Sequence, residues 1–309
     1  MRVLIALGGN AMTGPNGEVG PKDQQAAIEL AVEPVADLVA SGAQVVMTHG
    51  NGPQVGNLLL KNELAAAFVP AVPLDWCGAQ TQGSIGTLIL NALDRALAHR
   101  GLPVGTAVLV SRTLVAADDE HFSRPSKPVG PYRNASEAST MVEAGQLWQD
   151  CGQRGWRRLV ASPEPLECLE ARAAAALLAA NYVVVCAGGG GVPVIRDGDE
   201  LRGVEAVVDK DLAAAVLARQ LDVDRLVIAT DVDGAFVGWG TRQAAGIGKI
   251  GARQLRDLAA DGHFADGSMG PKVEAACRFA ELGGRSVITS LRRLASALRG
   301  TAGTIVEPS

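Results

Sequence analysis

Aromatic residues make up only 4% of the 309-residue chain, which leaves aliphatic packing to carry the interior. The five cysteines, Cys77, Cys151, Cys168, Cys186 and Cys277, are odd in number, widely spread and never arranged as Cys-x-x-Cys. That argues against a disulfide framework and against a zinc ribbon, and a reducing cytoplasm is the simplest setting. His49, His99, His121 and His263 show no metal-ligand spacing, so no metal site built from side chains is expected. No block of clustered Lys/Arg and no aromatic stacking platform accompanies the net charge of −5, which argues against a nucleic-acid partner. No apolar stretch is long and pure enough to span a bilayer, so no membrane partner is expected. Val3–Leu7 follows a single arginine and lacks the longer apolar run and cleavage site of a signal peptide.

Lysine is scarce too, and its placement is informative. Of the 28 basic residues only six are lysines, and Lys127, Lys210 and Lys272 sit in loop-forming surroundings rich in Gly, Pro or Asp. A compact ammonium on a flexible stem suits a single phosphoryl oxygen, whereas the guanidinium fork prefers bidentate partners. Each lysine taken alone could be a solvated surface residue. Together they point to phosphoryl transfer.

Short apolar, β-branched runs alternate with longer Ala/Leu-rich segments of helical period. The runs are Val3–Leu7, Gln44–Thr48, Val104–Val110, Arg158–Ala161, Tyr182–Cys186, Arg225–Thr230, Arg285–Thr289 and Gly303–Val306. The helical segments are Asp23–Ala40, Pro53–Ala67, Gln80–His99, Glu164–Ala180, Asp209–Gln220 and Pro271–Leu282. This alternation predicts an α/β fold, a three-layer αβα sandwich with a largely parallel open central sheet. Ligands of such sheets bind beyond the carboxyl ends of the strands. No interdomain linker and no repeat is visible, so residues 1–309 are read as one domain. Residues 117–155 are polar, broken by Pro and Gly and without sustained period, and are read as an inserted flap over the site.

Glycines concentrate where strands end. Leu7-Gly8-Gly9-Asn10-Ala11 follows the first run, Thr48-His49-Gly50-Asn51-Gly52-Pro53 the second, and Ala187-Gly188-Gly189-Gly190-Gly191-Val192-Pro193 a later one. Such turns let backbone amides approach an anion, and the N-terminus of a following helix adds partial positive charge. One Gly-rich turn is weak support for a ligand; three at one end of a sheet are stronger. The dinucleotide fingerprint and the P-loop pattern both fail here. Val207-Val208-Asp209-Lys210-Asp211-Leu212 then opens an Ala-rich helix with a lysine between two carboxylates. Asp209 as N-cap and Asp211 as dipole partner explain the carboxylates, but a cation is disfavoured at that end unless an anion holds it. Gly267-Ser268-Met269-Gly270-Pro271-Lys272 repeats the arrangement, and two lysines at two helix N-termini make a cage for a phosphoryl group.

These three glycine loops, with Lys127-Pro128-Val129-Gly130-Pro131, Gly203-Val204-Glu205-Ala206-Val207-Val208-Asp209-Lys210-Asp211, Thr230-Asp231-Val232-Asp233 and Gly267-Ser268-Met269-Gly270-Pro271-Lys272-Val273-Glu274, closely resemble the carbamate kinases, members of the amino-acid-kinase fold. The resemblance covers essentially the whole chain in order. It implies reversible transfer of a phosphoryl group between carbamoyl phosphate and ADP, giving ATP and carbamate, by a cytoplasmic homodimer with magnesium bound mainly through nucleotide phosphates. On this resemblance residues 1–180 form an acceptor lobe and 181–309 a nucleotide lobe. Gly8, Gly9, Asn10, Gly50, Asn51 and Gly52 are expected to cradle carbamate and phosphoryl oxygens. Lys127 reaches down from the flap, Lys210 and Lys272 stabilise the transferring phosphoryl, and Asp211 holds both lysines. The nucleotide is expected against Thr230, Asp231, Val232, Asp233, Met269 and Pro271. Many sister enzymes of the fold carry a lysine just before the first Leu-Gly-Gly; here Ala6 stands there, which suits carbamate kinase with Lys210 supplying the charge. Two alternatives stay open, a related kinase acting on another small carboxylate or phosphonate, and a catalytically idle nucleotide-binding homologue.

Overall fold

The computed structural model describes residues 1–13, 20–265 and 268–308. Eight strands form one sheet in the spatial order Lys249–Gly251, Thr304–Glu307, Arg285–Ser290, Arg225–Thr230, Arg2–Leu7, Gln44–His49, Tyr182–Val185, Gly105–Val108. Six neighbours from Arg285–Ser290 to Gly105–Val108 run parallel. Thr304–Glu307 runs against them, and Lys249–Gly251 pairs parallel with it. The sheet is therefore largely parallel, as the alternating pattern implies.

Alternation along the strands separates two cores. In Arg2–Leu7 the residues Val3, Ile5 and Leu7 enter one apolar cluster, with Met47, Val185 and Val227 from neighbouring strands. That layer is closed by α1 (Pro21–Ala40) and α3 (Leu74–His99). Leu4 and Ala6 enter the other cluster with Val46, Val184, Ile228 and Ile288. There α5 (Ala171–Ala179), α6 (Lys210–Gln220), α7 (Ala252–Ala260) and α8 (Met269–Glu281) cover the sheet. A strand buried on both faces is apolar along most of its length, which is why runs such as residues 3–7 and 226–229 are continuous rather than alternating with polar residues. The helices α2 (Gly52–Ala65), α4 (Ala135–Glu143) and α9 (Leu294–Leu298) complete the set used below.

Four expectations are corrected. Arg158–Ala161 does not join the main sheet: Trp156–Val160 is the central strand of a small antiparallel sheet with Lys127–Arg133 and Leu147–Asp150. With α4, started by a capping box between Asn134 and Glu137, this sheet gives residues 127–160 a regular structure. Lys127–Arg133 and Leu147–Asp150 leave no period in sequence because each buries one residue, Val129 or Trp148, and α4 buries only Ala138. Glu164–Ala180 is a helix only over Ala171–Ala179, since Glu167–Cys168 pairs with Arg112–Leu114. The third glycine turn feeds no helix but the strand Val192–Asp197 of a second sheet. Finally, α7 was not anticipated; its ends carry no side-chain cap, and its buried residues are Ala252 and Leu255.

Leu93 on α3 is fully buried in the first cluster. Leu93→Ala is expected to cost about 2–5 kcal/mol through lost transfer energy and the cavity left behind. Urea unfolding measures this, and a cost under about 1 kcal/mol would show that the layer closes over the gap.

Candidate active site

The parallel register brings the strand ends level. Leu7 pairs with His49, Ala6 with Ile228, and Thr230 with Ser290, so the turns after four strands open at one edge of the sheet. Two cavities occupy that edge. The larger, about 830 Å³, is lined by Gly8, Thr230, Asp231, Val232, Met269 and Arg292 among others. The smaller, about 240 Å³, is lined by Gly50, Asn51, Gly52, Lys127, Lys210 and Asp211 among others. Gly9, Ser268 and Lys272 belong to both walls. Drug-sized ligands fill cavities of the larger class, whereas the smaller admits only a small molecule.

Where the cavities meet, charged groups form a linked cluster. Asp209 caps α6, its Oδ1 accepting from the N–H groups of Asp211 (2.9 Å) and Leu212 (3.3 Å). Its Oδ2 takes the Lys127 ammonium at 2.6 Å, tying the small antiparallel sheet to the helix start. Asp211, one residue beyond Lys210, splits its oxygens between two lysines: Lys210 Nζ lies 2.5 Å from Oδ1 and Lys272 Nζ 2.9 Å from Oδ2. Pro271 lies in the first turn of α8, immediately before Lys272.

Three ammoniums face two carboxylates, so the cluster carries an excess positive charge beside two helix N-termini. Burial works against the charged form of Asp211, but the fields of Lys210 and Lys272 outweigh it and hold its carboxyl below the usual range. Burial is also the main cause of a lowered Lys210, helped by repulsion from Lys272 and opposed by Asp211. An arriving anion relieves that repulsion. The arrangement can therefore receive a phosphoryl group and hold negative charge spread over its oxygens.

His49 packs beneath this cluster with no solvent exposure. Its Nδ1 lies 2.9 Å from the Gly50 carbonyl, and its Nε2 has no partner among the described residues. Burial, more than the nearby Lys210, lowers its pKa to about 4, with the Gly50 bond opposing. The ring is neutral at neutral pH, Nδ1 donating to Gly50. A Cβ at Gly188 would lie 2.3 Å from His49 Nε2, so any side chain there would collide with the ring.

Most residues singled out by sequence fall on the two walls. Gly8 and Gly9 line the larger cavity, and Gly9, Gly50, Asn51 and Gly52 the smaller, with Lys127, Lys210, Asp211 and Lys272 around it. Asn10 lies in the turn Gly9–Met12, but its side chain falls outside the described residues, as does Gly267. Thr230, Asp231, Val232 and Met269 line the larger cavity, while Pro271 faces the smaller. Asp233 lines neither: it accepts from Ser290 Oγ at 2.6 Å and pairs with Arg293 at 3.2 Å, bracing two loops behind the wall. Sequence reasoning missed Phe236, Phe264, His263 and Arg292 on the larger wall, and Asp209 as the partner of Lys127. Trp239 also lies on that wall, its ring centroid 5.1 Å from that of Phe236. A Phe-x-x-Trp spacing after a strand end was the one signal available for that pair.

Comparison with known proteins bears on the family and the fold. A family model described as the amino acid kinase family matches residues 1–290. The carbamate kinase of Thermococcus kodakarensis is 44% identical over 99% of this chain and 98% of its own length. That of Pyrococcus furiosus is 41% identical, covering 99% of each chain. Among solved structures, a carbamate kinase from Giardia lamblia bound to AMP-PNP superimposes with a TM-score of 0.93 at 39% identity, over 99% of this chain and 98% of that one.

The buried neutral His49 makes stability depend on pH. Unfolded, the ring binds a proton near pH 6.5; folded, only near pH 4, so between these values the unfolded chain holds more protons. The contribution is intact above about pH 6.5 and is lost as pH falls toward 4. Between pH 7 and pH 4.5 it amounts to about 2 kcal/mol. Denaturant unfolding of wild type and His49→Asn at both pH values checks this: the wild type is expected to lose about 2 kcal/mol more than the variant, and equal losses would place the ring in contact with water.

Proposed function

The chain belongs to the amino acid kinase family, within it to the carbamate kinases, and on that footing we propose that it transfers a phosphoryl group reversibly between carbamoyl phosphate and ADP, giving ATP and carbamate. The observation that carries this reading is the meeting of a nucleotide-sized cavity with a small one at Lys272, over a carboxylate that also holds Lys210.

In this reading the larger cavity takes the nucleotide. Phe236 and Trp239 offer apolar surface for the base, and Arg292 and Lys272 offer charge for the phosphates. The smaller cavity takes carbamate or the carbamoyl group, with Gly9, Gly50, Asn51 and Gly52 around its oxygens and Lys127 at its roof. Carbamate is already an anion, so its oxygen attacks the γ-phosphorus without a general base. In the loose transition state charge spreads over the equatorial oxygens, and the protein's work is positioning and electrostatic stabilisation. Lys210 and Lys272 supply that stabilisation, and Asp211 keeps both ammoniums aimed without adding a mobile group. Residues 127–160, which bring Lys127 and Val129 to the smaller cavity, act as the flap.

Magnesium fits as a partner of the nucleotide rather than of the protein. Both oxygens of Asp211 and both of Asp209 are already engaged by lysines and helix amides, and no group of three or more His, Cys, Asp or Glu among the described residues is placed to hold an ion alone. Asp231, which accepts from Thr230 Oγ1 at 3.0 Å, is the carboxylate lining the larger cavity, where a hydrated ion would be carried on phosphate oxygens. Bound there, the ion would neutralise phosphate charge.

We also read the working form as a cytoplasmic homodimer. The five cysteines are free, no helix among the described residues is long and apolar enough to cross a membrane, and Leu64, Phe68, Val69 and Trp76 offer exposed apolar surface near the end of α2 and the start of α3 for a second copy.

The test mixes protein with carbamoyl phosphate, ADP and magnesium and follows ATP. Wild type is expected to form ATP. Lys210→Met and Lys272→Met are each expected to lose about a hundredfold in rate, or about 3 kcal/mol of transition-state stabilisation, while keeping a thermal melt close to wild type. A folded wild type that binds ADP but forms no ATP would sink the assignment.

A further inference from the structure

Carbamate differs from other small carboxylates by one feature, an amino group that can only donate. The smaller cavity is rich in donors for oxygens: glycine amides, Lys127, Lys210 and Lys272. Acceptors are fewer. Asp209 and Asp211 are engaged by lysines and helix amides, and the Asp75 carboxylate lies against Gly203 and would add negative charge next to an anionic substrate. Asn51 remains. It is a neutral side chain, 8% exposed, on the cavity wall, and its Oδ1 accepts no hydrogen bond from a described residue.

What that carboxamide presents to the cavity is set from behind. Asn51 Nδ2 donates to Thr81 Oγ1 at 2.8 Å, and Thr81 Oγ1 donates to the Gly78 carbonyl at 2.7 Å. A hydroxyl carries a single hydrogen. With it spent on Gly78, Thr81 can only accept, so Asn51 must turn its NH₂ group toward Thr81 and its oxygen away. A carboxamide rotated by half a turn would keep its partner only if the hydroxyl gave up its bond to Gly78, in a site where Thr81 is only 1% exposed. Gly189, at φ +67°, backs the same carboxamide so closely that any side chain there would collide with it.

We infer that Thr81, on α3 and outside the cavity wall, is a positioning residue that holds the Asn51 oxygen toward the substrate and so selects an acyl group bearing an amino group. The inference rests on the function proposed above. Sites that hydrogen-bond a substrate group reject analogues lacking it, because the buried partner is then left unpaired.

The experiment compares carbamoyl phosphate with acetyl phosphate, which carries a methyl in place of the amino group. ATP formation from ADP is measured with each in wild type, Thr81→Val, Thr81→Ala and Thr81→Ser, with thermal melts alongside. Acetyl phosphate is also titrated as an inhibitor of the carbamoyl phosphate reaction, so its affinity is read whether or not it turns over. Thr81→Val, which removes the hydroxyl and frees the amide to turn, is expected to lower kcat/KM for carbamoyl phosphate about tenfold and to change the acetyl phosphate values by less than about twofold. Thr81→Ser is expected to restore the preference, and Thr81→Ala reads the same ratio where valine destabilises the fold. Equal losses for both substrates, or an unchanged ratio, would overturn the role of Thr81 alone; a wild type inactive with carbamoyl phosphate would instead overturn the reaction on which it rests.

Discussion

The shared carboxylate of Asp211 is the constraint on which the site depends. Two lysines at 14% and 15% side-chain exposure repel one another and are poorly solvated, so neither would stay fixed near the other without a common counterion. Asp211 provides it from the first turn of α6, where the helix N-terminus favours a carboxylate in its own right. The same turn fixes Asp209, which draws in Lys127 from a separate sheet. One helix start thereby organises cations from three parts of the chain.

That helix start is placed by the sheet. In a parallel sheet every strand points its carboxyl end the same way, so turns far apart in sequence converge at one edge. The turns after Arg2–Leu7, Gln44–His49 and Arg225–Thr230 do this directly, through the registers Leu7 to His49 and Ala6 to Ile228. The turn after Tyr182–Val185 does it differently: it leaves the sheet for a second one, and its glycines pass within touching distance of His49 and Asn51. Glycine is required there for two reasons, positive φ at residues 189 to 191 and the absence of room for a Cβ. This run therefore reads as a wall that fixes His49 and Asn51 from behind.

Much of this was legible in the chain, and the reasons are local. Strands buried on both faces and helices with one apolar stripe print their period in sequence, so Arg225–Thr230 is read to the residue and α1, α6 and α8 to within a turn. Lys210 and Lys272 were legible because a cation at a helix start breaks a dipole rule. What was hidden depends on partners remote in sequence. The Lys127 to Asp209 pair spans 82 residues, and the Asn51 to Thr81 bond joins two helices whose own patterns explain both residues without it. Trp156–Val160 reads as a strand but is assigned to the wrong sheet, and Lys127–Arg133 and Leu147–Asp150 were hidden because each buries a single residue, Val129 or Trp148, too few to impose a period.

The chemistry explains why the cluster tolerates its own cost. Lys210 is held below its ordinary pKa by burial and by Lys272, which means that without an anion the site stores repulsion. On the proposed function, a phosphoryl group entering between the cavities would replace that repulsion with attraction to both ammoniums, and the gain would be largest as charge develops on its oxygens in the transition state. A site built from separate ion pairs would have neutralised each lysine in the ground state and left less to offer. By making two cations share one carboxylate, the fold keeps a deficit of negative charge where, in the proposed reaction, the transferring group would supply it.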